Sequence, residues 1–140
     1  MFSRSVRCPV ASTLDLVGDR WTLLIVRDLL KGNARFSELG RSVEGITSSV
    51  LSARIKLLEE EGLVDRRLYS KHPPRSEYFL TSKGHSLGVV VGALATWGER
   101  HTDHDLSIVD DRCGHGVDVV YRCPTCDRSA PRSQIRIVPA

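Results

Sequence analysis

Residues 36–64 read FSELGRSVEGITSSVLSARIKLLEEEGLV, and this stretch decides the fold. A short helix is predicted at about residues 37–41, followed by a turn at Val43, Glu44 and Gly45. Thr47 is a suitable N-cap for a longer helix that ends at about Gly62. Two helices joined by a short glycine-containing turn form a helix-turn-helix.

A hairpin with a basic tip is predicted directly after this motif, from the stretch LYSKHPPRSEYFL at residues 68–80. Strands are expected at residues 63–69 and 76–80, on either side of a tip with two prolines. The potentially cationic side chains of the tip are Lys71, His72 and Arg75. A helix-turn-helix followed by such a hairpin is the winged-helix arrangement. We therefore predict that the hairpin is a wing that contacts DNA phosphates or the minor groove.

The longer helix of the motif has two faces when its residues are spaced by about 100°. Its apolar face consists of Val50, Leu51, Ile55, Leu57 and Leu58. The opposite face consists of Ser48, Ser52, Lys56 and Glu59, with Ser49 at the edge. Small hydroxyl side chains allow close approach and bond either bases or phosphates, so this face is predicted to read DNA. Arg54 falls inside the apolar arc, where we predict a structural salt bridge instead of a base contact.

Further helices are predicted on both sides of the winged motif. They cover residues 9–17, residues 20–30 after an Asp19 cap, and residues 82–100 after a Thr81 cap. The last helix carries an apolar stripe that is too large for so small a domain to cover alone. The stripe consists of Leu87, Val90, Val91, Leu94 and Trp97. We interpret it as a dimer interface, with an ordinary core helix as the alternative.

The predicted fold class is α+β. Residues 8–101 would form a winged helix-turn-helix domain for DNA binding, with extra N- and C-terminal helices for dimerisation. Residues 102–140 would form a linker and a small cysteine-containing β-ribbon tail, with strands at residues 117–121 and 135–138.

A family resemblance covers about residues 8–101, which are similar to the HxlR-type winged-helix transcriptional regulators, relatives of the MarR group. The most specific matching pieces are Cys8-Pro9-Val10, Gly18-Asp19-Arg20-Trp21, Arg35-Phe36-Ser37-Glu38-Leu39, Leu51-Ser52-Ala53-Arg54, Glu61-Gly62-Leu63-Val64 and Tyr78-Phe79-Leu80-Thr81. The resemblance implies a homodimer, paired through its terminal helices, on a palindromic operator in double-stranded DNA. The full set of residues predicted to bind DNA is Arg35, Ser37, Thr47, Ser48, Ser49, Ser52, Lys56, Lys71, His72 and Arg75.

The charge distribution is compatible with a nucleic-acid partner. The net charge is +3, and residues 1–100 hold 15 Lys and Arg against 11 Asp and Glu. Arginines outnumber lysines sixteen to four, and the planar guanidinium is the better partner for phosphate. The longest apolar run, residues 87–94, is too short to span a membrane, and the N-terminus MFSRSVRCPV lacks the apolar core of a signal peptide. We therefore expect a cytoplasmic protein with no membrane partner.

Cys8 allows two interpretations. It precedes a predicted helix and lies near Arg4 and Arg7, and both the helix end and nearby cations favour a reactive thiolate. Some proteins of the resembled type sense oxidants or electrophiles through a cysteine in this place. The alternative is a small buried residue at the dimer interface.

The tail contains Cys123-Pro124-Thr125-Cys126, which has the spacing of a zinc knuckle. Cys113 and His115 would complete a tetrahedral structural site, although their spacing is tighter than in ordinary knuckles. Free thiols and a reversible disulfide are the alternatives. No cofactor is required by the sequence, and zinc in the tail is the one metal it suggests.

Two other classes of function compete with a DNA-binding regulator. A zinc- or thiol-dependent enzyme or redox protein would be built on the tail, but the chain offers no carboxylate pair, nucleophile-base set or phosphate loop in the right context. We therefore predict no catalytic residue and no enzyme. A winged helix used only for protein interaction is disfavoured by the basic tip and the hydroxyl-rich helix.

Overall fold

The structure is a computed structural model, which describes residues 7–140 of the protein. By internal packing the chain divides into two compact units, residues 7–91 and 92–140, and the boundary falls inside a helix. Within the described residues, no helix is both long and apolar enough to cross a membrane.

The first unit contains the helices and the three-stranded sheet of a winged helix. Its elements in chain order are α1 (Pro9–Val17), α2 (Thr22–Leu29), β1 (Ala34–Arg35), α3 (Phe36–Ser42), α4 (Ser48–Glu60), β2 (Val64–Lys71), β3 (Pro74–Leu80), α5 (Ser82–His85) and the first turn of α6 (Gly88–His101). The sheet is antiparallel in the order β1-β3-β2. The α+β class and the winged helix-turn-helix are thereby confirmed.

The core of this unit lies between the helices and the sheet. Its fully or nearly buried residues are Ile25, Val26, Leu29, Leu39, Val43, Leu51, Ile55, Leu58, Leu63, Val64 and Leu80. Burying one such side chain stabilises the fold by about 1.5–3 kcal/mol. This cluster therefore fixes how α3 and α4 pack against the sheet. Gly84 of α5 is part of the same packing, because a β-carbon there would lie 2.1 Å from the carbonyl oxygen of Leu63.

The helix-turn-helix follows its predicted local chemistry. The turn between α3 and α4 contains Gly45 at φ +83°, a backbone conformation that favours glycine. The hydroxyl of Thr47 accepts a hydrogen bond from the amide of Val50 at 3.3 Å, which is the predicted N-cap. The N-cap position of α2 is Trp21, and the helix begins at Thr22, two residues later than expected. The Asp19 carboxylate nevertheless caps the start of this helix, since it accepts hydrogen bonds from the amides of Trp21 and Thr22.

The wing is longer than predicted and its tip is shorter. The strands β2 and β3 pair from Val64↔Leu80 out to Lys71↔Pro74, so only His72 and Pro73 form the turn. The predicted strands ended at residue 69 and began again at residue 76, which left both prolines in the tip. Pro74 is the first residue of β3, a position where a missing amide is tolerated.

The predicted long C-terminal helix is divided into α5 and α6. The break lies at Ser86 and Leu87, between Gly84 and Gly88. Two glycines lower the helix propensity, and the Ser86 hydroxyl bonds the carbonyl of Lys83 at 2.5 Å, which competes with the helical pattern.

The second unit contains the rest of α6 and the tail. Its hairpin is formed by β4 (Tyr121–Cys123) and β5 (Arg128–Ala130), followed by a 3₁₀ turn at Arg132–Gln134. The predicted strands at residues 117–121 and 135–138 are wrong, because the tight turn that contains the Cys-x-x-Cys sequence pairs the residues on its own two sides. The segment before it is held to α6, since Glu99 accepts the amide of Ile108 at 2.6 Å.

Candidate nucleic-acid interface

The exposed face of α4 is the one predicted to read DNA. Leu51, Ile55 and Leu58 are buried on the opposite face. The polar side chains that this packing leaves exposed are Ser48, Ser49, Ser52 and Lys56, together with the capping Thr47. The Thr47 and Ser49 hydroxyls lie 3.3 Å apart, so the start of the helix presents hydroxyl groups that can bond an anion.

Arg54 connects α4 to the beginning of α2, as predicted. Its Nη1 lies 3.6 Å from Oδ2 of Asp19, and its Nε is buried without a hydrogen-bond partner among the described residues. Asp19 also accepts hydrogen bonds from the Thr22 hydroxyl and from the amides of Trp21 and Thr22. Partial burial raises the pKa of Asp19, but these hydrogen bonds and the Arg54 charge lower it more, to below the ordinary 3.8. The ion pair between Arg54 and Asp19 thus holds α4 to the beginning of α2.

Asp28 performs a similar role for α3. This buried carboxylate of α2 accepts a hydrogen bond from the Ser42 hydroxyl at the end of α3. It also pairs with Arg27 at 2.9 Å and with Lys31 at 3.6 Å. Burial raises the pKa of Asp28, and the bonds from Arg27 and Ser42 with the charges of Arg27 and Lys31 bring it below 3.8. Both helices of the motif are therefore tied to α2 by a carboxylate.

A groove of about 410 Å³ lies between the start of α3 and the wing, and we call it the wing groove. It is lined by Arg35, Phe36, Ser37, Tyr69, Pro74, Arg75, Ser76 and Tyr78. The guanidinium of Arg35 lies over the Tyr69 ring, 4.2 Å from its centroid, which holds this cation against the wing. Three residues predicted to bind DNA, Arg35, Ser37 and Arg75, therefore face one space.

A second groove of about 300 Å³ lies along α4, and we call it the helix groove. It is lined by Phe36, Ser52, Ile55, Lys56, Glu59, Arg66 and Tyr78. The cations here are partly balanced, since Lys56 lies 3.9 Å from Glu60 and Arg66 lies 4.0 Å from Glu59. Burial, with the nearby Glu59 charge, raises the pKa of Tyr78 above 10.0, so this phenol stays a neutral hydrogen-bond donor.

The wing tip carries Lys71, His72 and Arg75, which are all exposed. Between residues 7 and 140, no carboxylate lies within 4.0 Å of these three side chains. Farther along the wing, Arg67 is paired with Glu77 across the two strands. The uncompensated positive charge of the wing is therefore at its tip, where a phosphate backbone would meet it.

The two grooves share Phe36 and Tyr78, so they form one continuous surface. Sequence reasoning did not identify Tyr69, Ser76, Tyr78 and Arg66 as part of it. Successive side chains of a strand point to opposite faces, so residues 66, 76 and 78 of β2 and β3 alternate with positions that face inward or are paired. This alternation is the signal that would have found them.

Comparison with known proteins identifies the family. The model of the HxlR-like helix-turn-helix matches residues 16–106, which is more than half of the chain. The chain belongs to the HxlR-like helix-turn-helix family. The uncharacterized HTH-type transcriptional regulator Rv3095 of Mycobacterium tuberculosis is 38% identical over 121 residues, which are 84% of this chain and 76% of that protein. This HxlR-like protein is therefore a transcriptional regulator.

Two solved structures extend the comparison. PA1607, a candidate transcription factor, is 30% identical, with a TM-score of 0.79 over 96% of each chain. The redox regulator HypR in its oxidised form is 36% identical, with a TM-score of 0.64 over 69% of this chain and 100% of that one.

The apolar stripe predicted for dimerisation is divided between two environments in this HxlR-like chain. Leu87 and Val91 pack against the core of the first unit, as the core-helix alternative expected, and Val90 is half-buried. In the second unit, Leu94 and Trp97 are 55% and 61% exposed. Exposed apolar residues that the prediction missed are Val89 on α6 and Val10 and Leu14 on α1.

Cys8 of the HxlR-like protein occupies the N-cap position of α1 and is exposed. Its carbonyl accepts the amide of Ser12 at 2.9 Å, which starts the helix. Arg7 is exposed beside it, whereas Arg4 lies outside the described residues. The thiol is thus accessible in the single chain. The alternative, that a second copy of the chain buries it at a dimer interface, stays a prediction.

The tail cysteines of the HxlR-like protein do not form the predicted four-ligand group. Throughout residues 7–140, no three His, Cys, Asp or Glu side chains lie close enough to hold a metal ion together. Cys113, His115, Cys123 and Cys126 are all exposed. Cys123 and Cys126 face the same turn, where hydrogen bonds from the amides of Cys126 and Thr125 and from the Cys126 thiol lower the pKa of Cys123. Zinc at these four residues stays an untested prediction.

Proposed function

We propose that the protein regulates transcription by binding a palindromic operator in double-stranded DNA as a homodimer. In this proposal α4 enters the major groove and the wing contacts the adjacent phosphates. The observation that carries it is the continuity of the helix groove and the wing groove. Together they put the Ser52 hydroxyl of α4 on the same surface as the cations Arg35 and Arg75.

The division of roles follows from the chemistry of the side chains. Lys71, His72 and Arg75 bind phosphates without reading sequence, so they supply affinity and salt dependence. Ser48, Ser49 and Ser52 are short and bond bases or phosphates only at close approach, so they discriminate weakly by themselves. Arg35, stacked on Tyr69, and Ser37 contact the backbone at the start of α3.

The homodimer is supported by the exposed apolar residues of the terminal helices. Leu94 and Trp97 on α6 and Val10 and Leu14 on α1 lie in solvent in the single chain. Apolar surface of this kind is costly to hydrate, and a second copy of the chain is the partner that a palindromic operator requires.

We also propose that Cys8 makes the regulator responsive to thiol oxidation. The thiol is exposed, and the redox regulator HypR is 36% identical in sequence to this chain. The expected result is that an oxidant changes operator affinity of the wild type and leaves Cys8→Ser unchanged, as measured by fluorescence anisotropy. An equal response in Cys8→Ser would contradict a sensor at this position.

The experiment that tests DNA recognition is selection of genomic fragments from the source organism with the purified full-length protein. We expect recovery of a small set of fragments that share an inverted repeat. Recovery of random fragments with no shared sequence would leave only non-specific binding and contradict an operator. Random-sequence duplexes of equal length are the matched control for affinity.

A further inference from the structure

The turn between β4 and β5 is built to bring two thiols together. Cys123 pairs with Arg128 across the hairpin, so the turn consists of four residues, Pro124 to Asp127. A reverse turn brings the first and fourth residues to a Cα separation below about 7 Å. Disulfides need a Cα separation of roughly 4.4–6.8 Å. Cys123 and Cys126 are three residues apart at this turn, and the amide nitrogen of Cys126 lies 3.5 Å from Sγ of Cys123, so the fold brings the two cysteines into contact.

Local contacts hold this turn in place. The amide of Cys126 points at Sγ of Cys123, with N and S 3.5 Å apart. Arg122 and Asp127 form an ion pair across the turn at 2.6 Å, and Asp127 has the left-handed φ of 50° that closes it. The two thiols are thus presented by a fixed hairpin end and do not depend on chance encounters of a loose chain.

Both thiols are accessible. Cys123 and Cys126 are exposed and present as free cysteines. Cys113, by contrast, lies in a separate turn near Asp110 and Gly114, and the described residues offer no third ligand that would engage the pair as a metal site.

We propose that Cys123 and Cys126 form a reversible dithiol–disulfide couple, a redox site separate from Cys8. The oxidant is a low-molecular-weight disulfide. The Cys123 thiolate attacks one sulfur of the small disulfide, which forms a mixed disulfide and releases one thiolate. The Cys126 thiolate then attacks Sγ of Cys123, which closes the protein disulfide and releases the second thiolate. The two protein thiols lose two electrons and two protons, and the small disulfide becomes two thiols.

The test uses full-length protein with Cys8→Ser and Cys113→Ser, so that only the two turn thiols remain. Treatment with oxidised glutathione is expected to lower the intact mass by two hydrogen atoms, with the disulfide mapped to the peptide that contains residues 123–126. Dithiothreitol is expected to restore the mass. Adding Cys126→Ser removes the second thiol, so Cys123 is expected to keep one glutathionyl adduct. Cys123→Ser in place of Cys126→Ser is the matched control, in which Cys126 is expected to keep one adduct and no internal disulfide forms.

Three results would overturn the proposal. One is an unchanged mass after oxidation, and another is accumulation of two glutathionyl adducts with no internal disulfide. The third is protein that is purified with bound zinc and resists oxidised glutathione until a chelator removes the metal, which would assign the thiols to a metal site. The readouts are masses of the full chain, so they do not depend on operator binding or on the role of Cys8.

Discussion

At the scale of single residues, two carboxylates of the α2 region hold the DNA-binding motif in place. Asp19 links the start of α2 to Arg54 of α4, and Asp28 links α2 to Ser42 of α3. Neither residue lies on the proposed DNA surface, yet each restrains a helix that does. The helical wheel of α4 predicted a structural Arg54. No local pattern predicted Asp28 with Ser42, because the two are fourteen residues apart and meet only in the folded chain.

The first prediction concerns Asp19. Asp19→Ala removes the acceptor that caps α2 and leaves the Arg54 guanidinium without its partner. We expect the free energy of unfolding to fall by about 1–2 kcal/mol, mostly through loss of the cap. Asp19→Asn is the matched control, since its side-chain oxygen still caps while its charge is gone. Urea unfolding of the three proteins at neutral pH measures the difference, and equal stability of Asp19→Ala and wild type would contradict the assigned role.

The second prediction concerns the pH dependence of stability. The folded-state pKa of Asp19 lies below its ordinary value, so its ionised form stabilises the fold above that value. This contribution is lost as the pH falls from about 4 through the folded pKa. Asp19→Asn is therefore expected to lose less stability on acidification than wild type, with Asp28 accounting for part of what remains. Identical acid limbs in urea unfolding at a series of pH values would show that Asp19 does not titrate in this way.

At the scale of elements, the wing carries its uncompensated positive charge at its tip. Its strands extend to Lys71 and Pro74, which places the cations on a paired hairpin end instead of a long loop. The existence of the hairpin and its basic tip could be predicted from alternation and composition. Its length could not, because the pairing of Pro74 depends on its place as the first residue of β3 in the finished sheet.

The third prediction therefore removes charge from the wing tip. Lys71→Ala with Arg75→Ala is expected to weaken binding to operator and to random DNA about equally. The slope of log affinity against log salt is expected to become shallower by about one unit for each phosphate that the wing no longer neutralises. Arg128→Ala with Arg136→Ala removes the same charge from the tail and is the control. An unchanged affinity and slope for the wing variant, measured by anisotropy titration across salt concentrations, would show that the wing does not bind phosphates.

At the scale of the whole molecule, the first unit could be predicted far better than the second. In residues 7–91, local signals such as the Thr47 cap, Gly45 and the apolar face of α4 agree with the packed core. In residues 92–140, a strand was predicted at residues 117–121, yet Val119 and Val120 are exposed and the hairpin forms next to them. Such a small unit has little core to select among strand pairings, so turn chemistry decides them.

The fourth prediction concerns assembly. Trp97→Glu with Leu94→Glu places charges on the exposed apolar residues of α6. We expect the dissociation constant of the dimer to increase by at least about tenfold, because burying one large apolar side chain stabilises the dimer by about 1.4 kcal/mol or more. Val120→Glu alters an equally exposed apolar residue of the tail and is the control. Sedimentation at micromolar concentration distinguishes the α6 variant from the control variant. A wild type that is already monomeric would contradict the dimer.

The central claim is that the exposed face of α4 reads the operator, and one substitution tests it most directly. Ser52→Glu adds a negative charge at an exposed position of the helix groove, where the core is untouched. Like charges forced together cost several kcal/mol, so operator affinity measured by fluorescence anisotropy is expected to fall by at least about 100-fold. Ser133→Glu, which adds the same charge at an exposed position of the tail, is expected to bind as wild type does. A folded Ser52→Glu protein with wild-type operator affinity would contradict the assignment of this face to DNA.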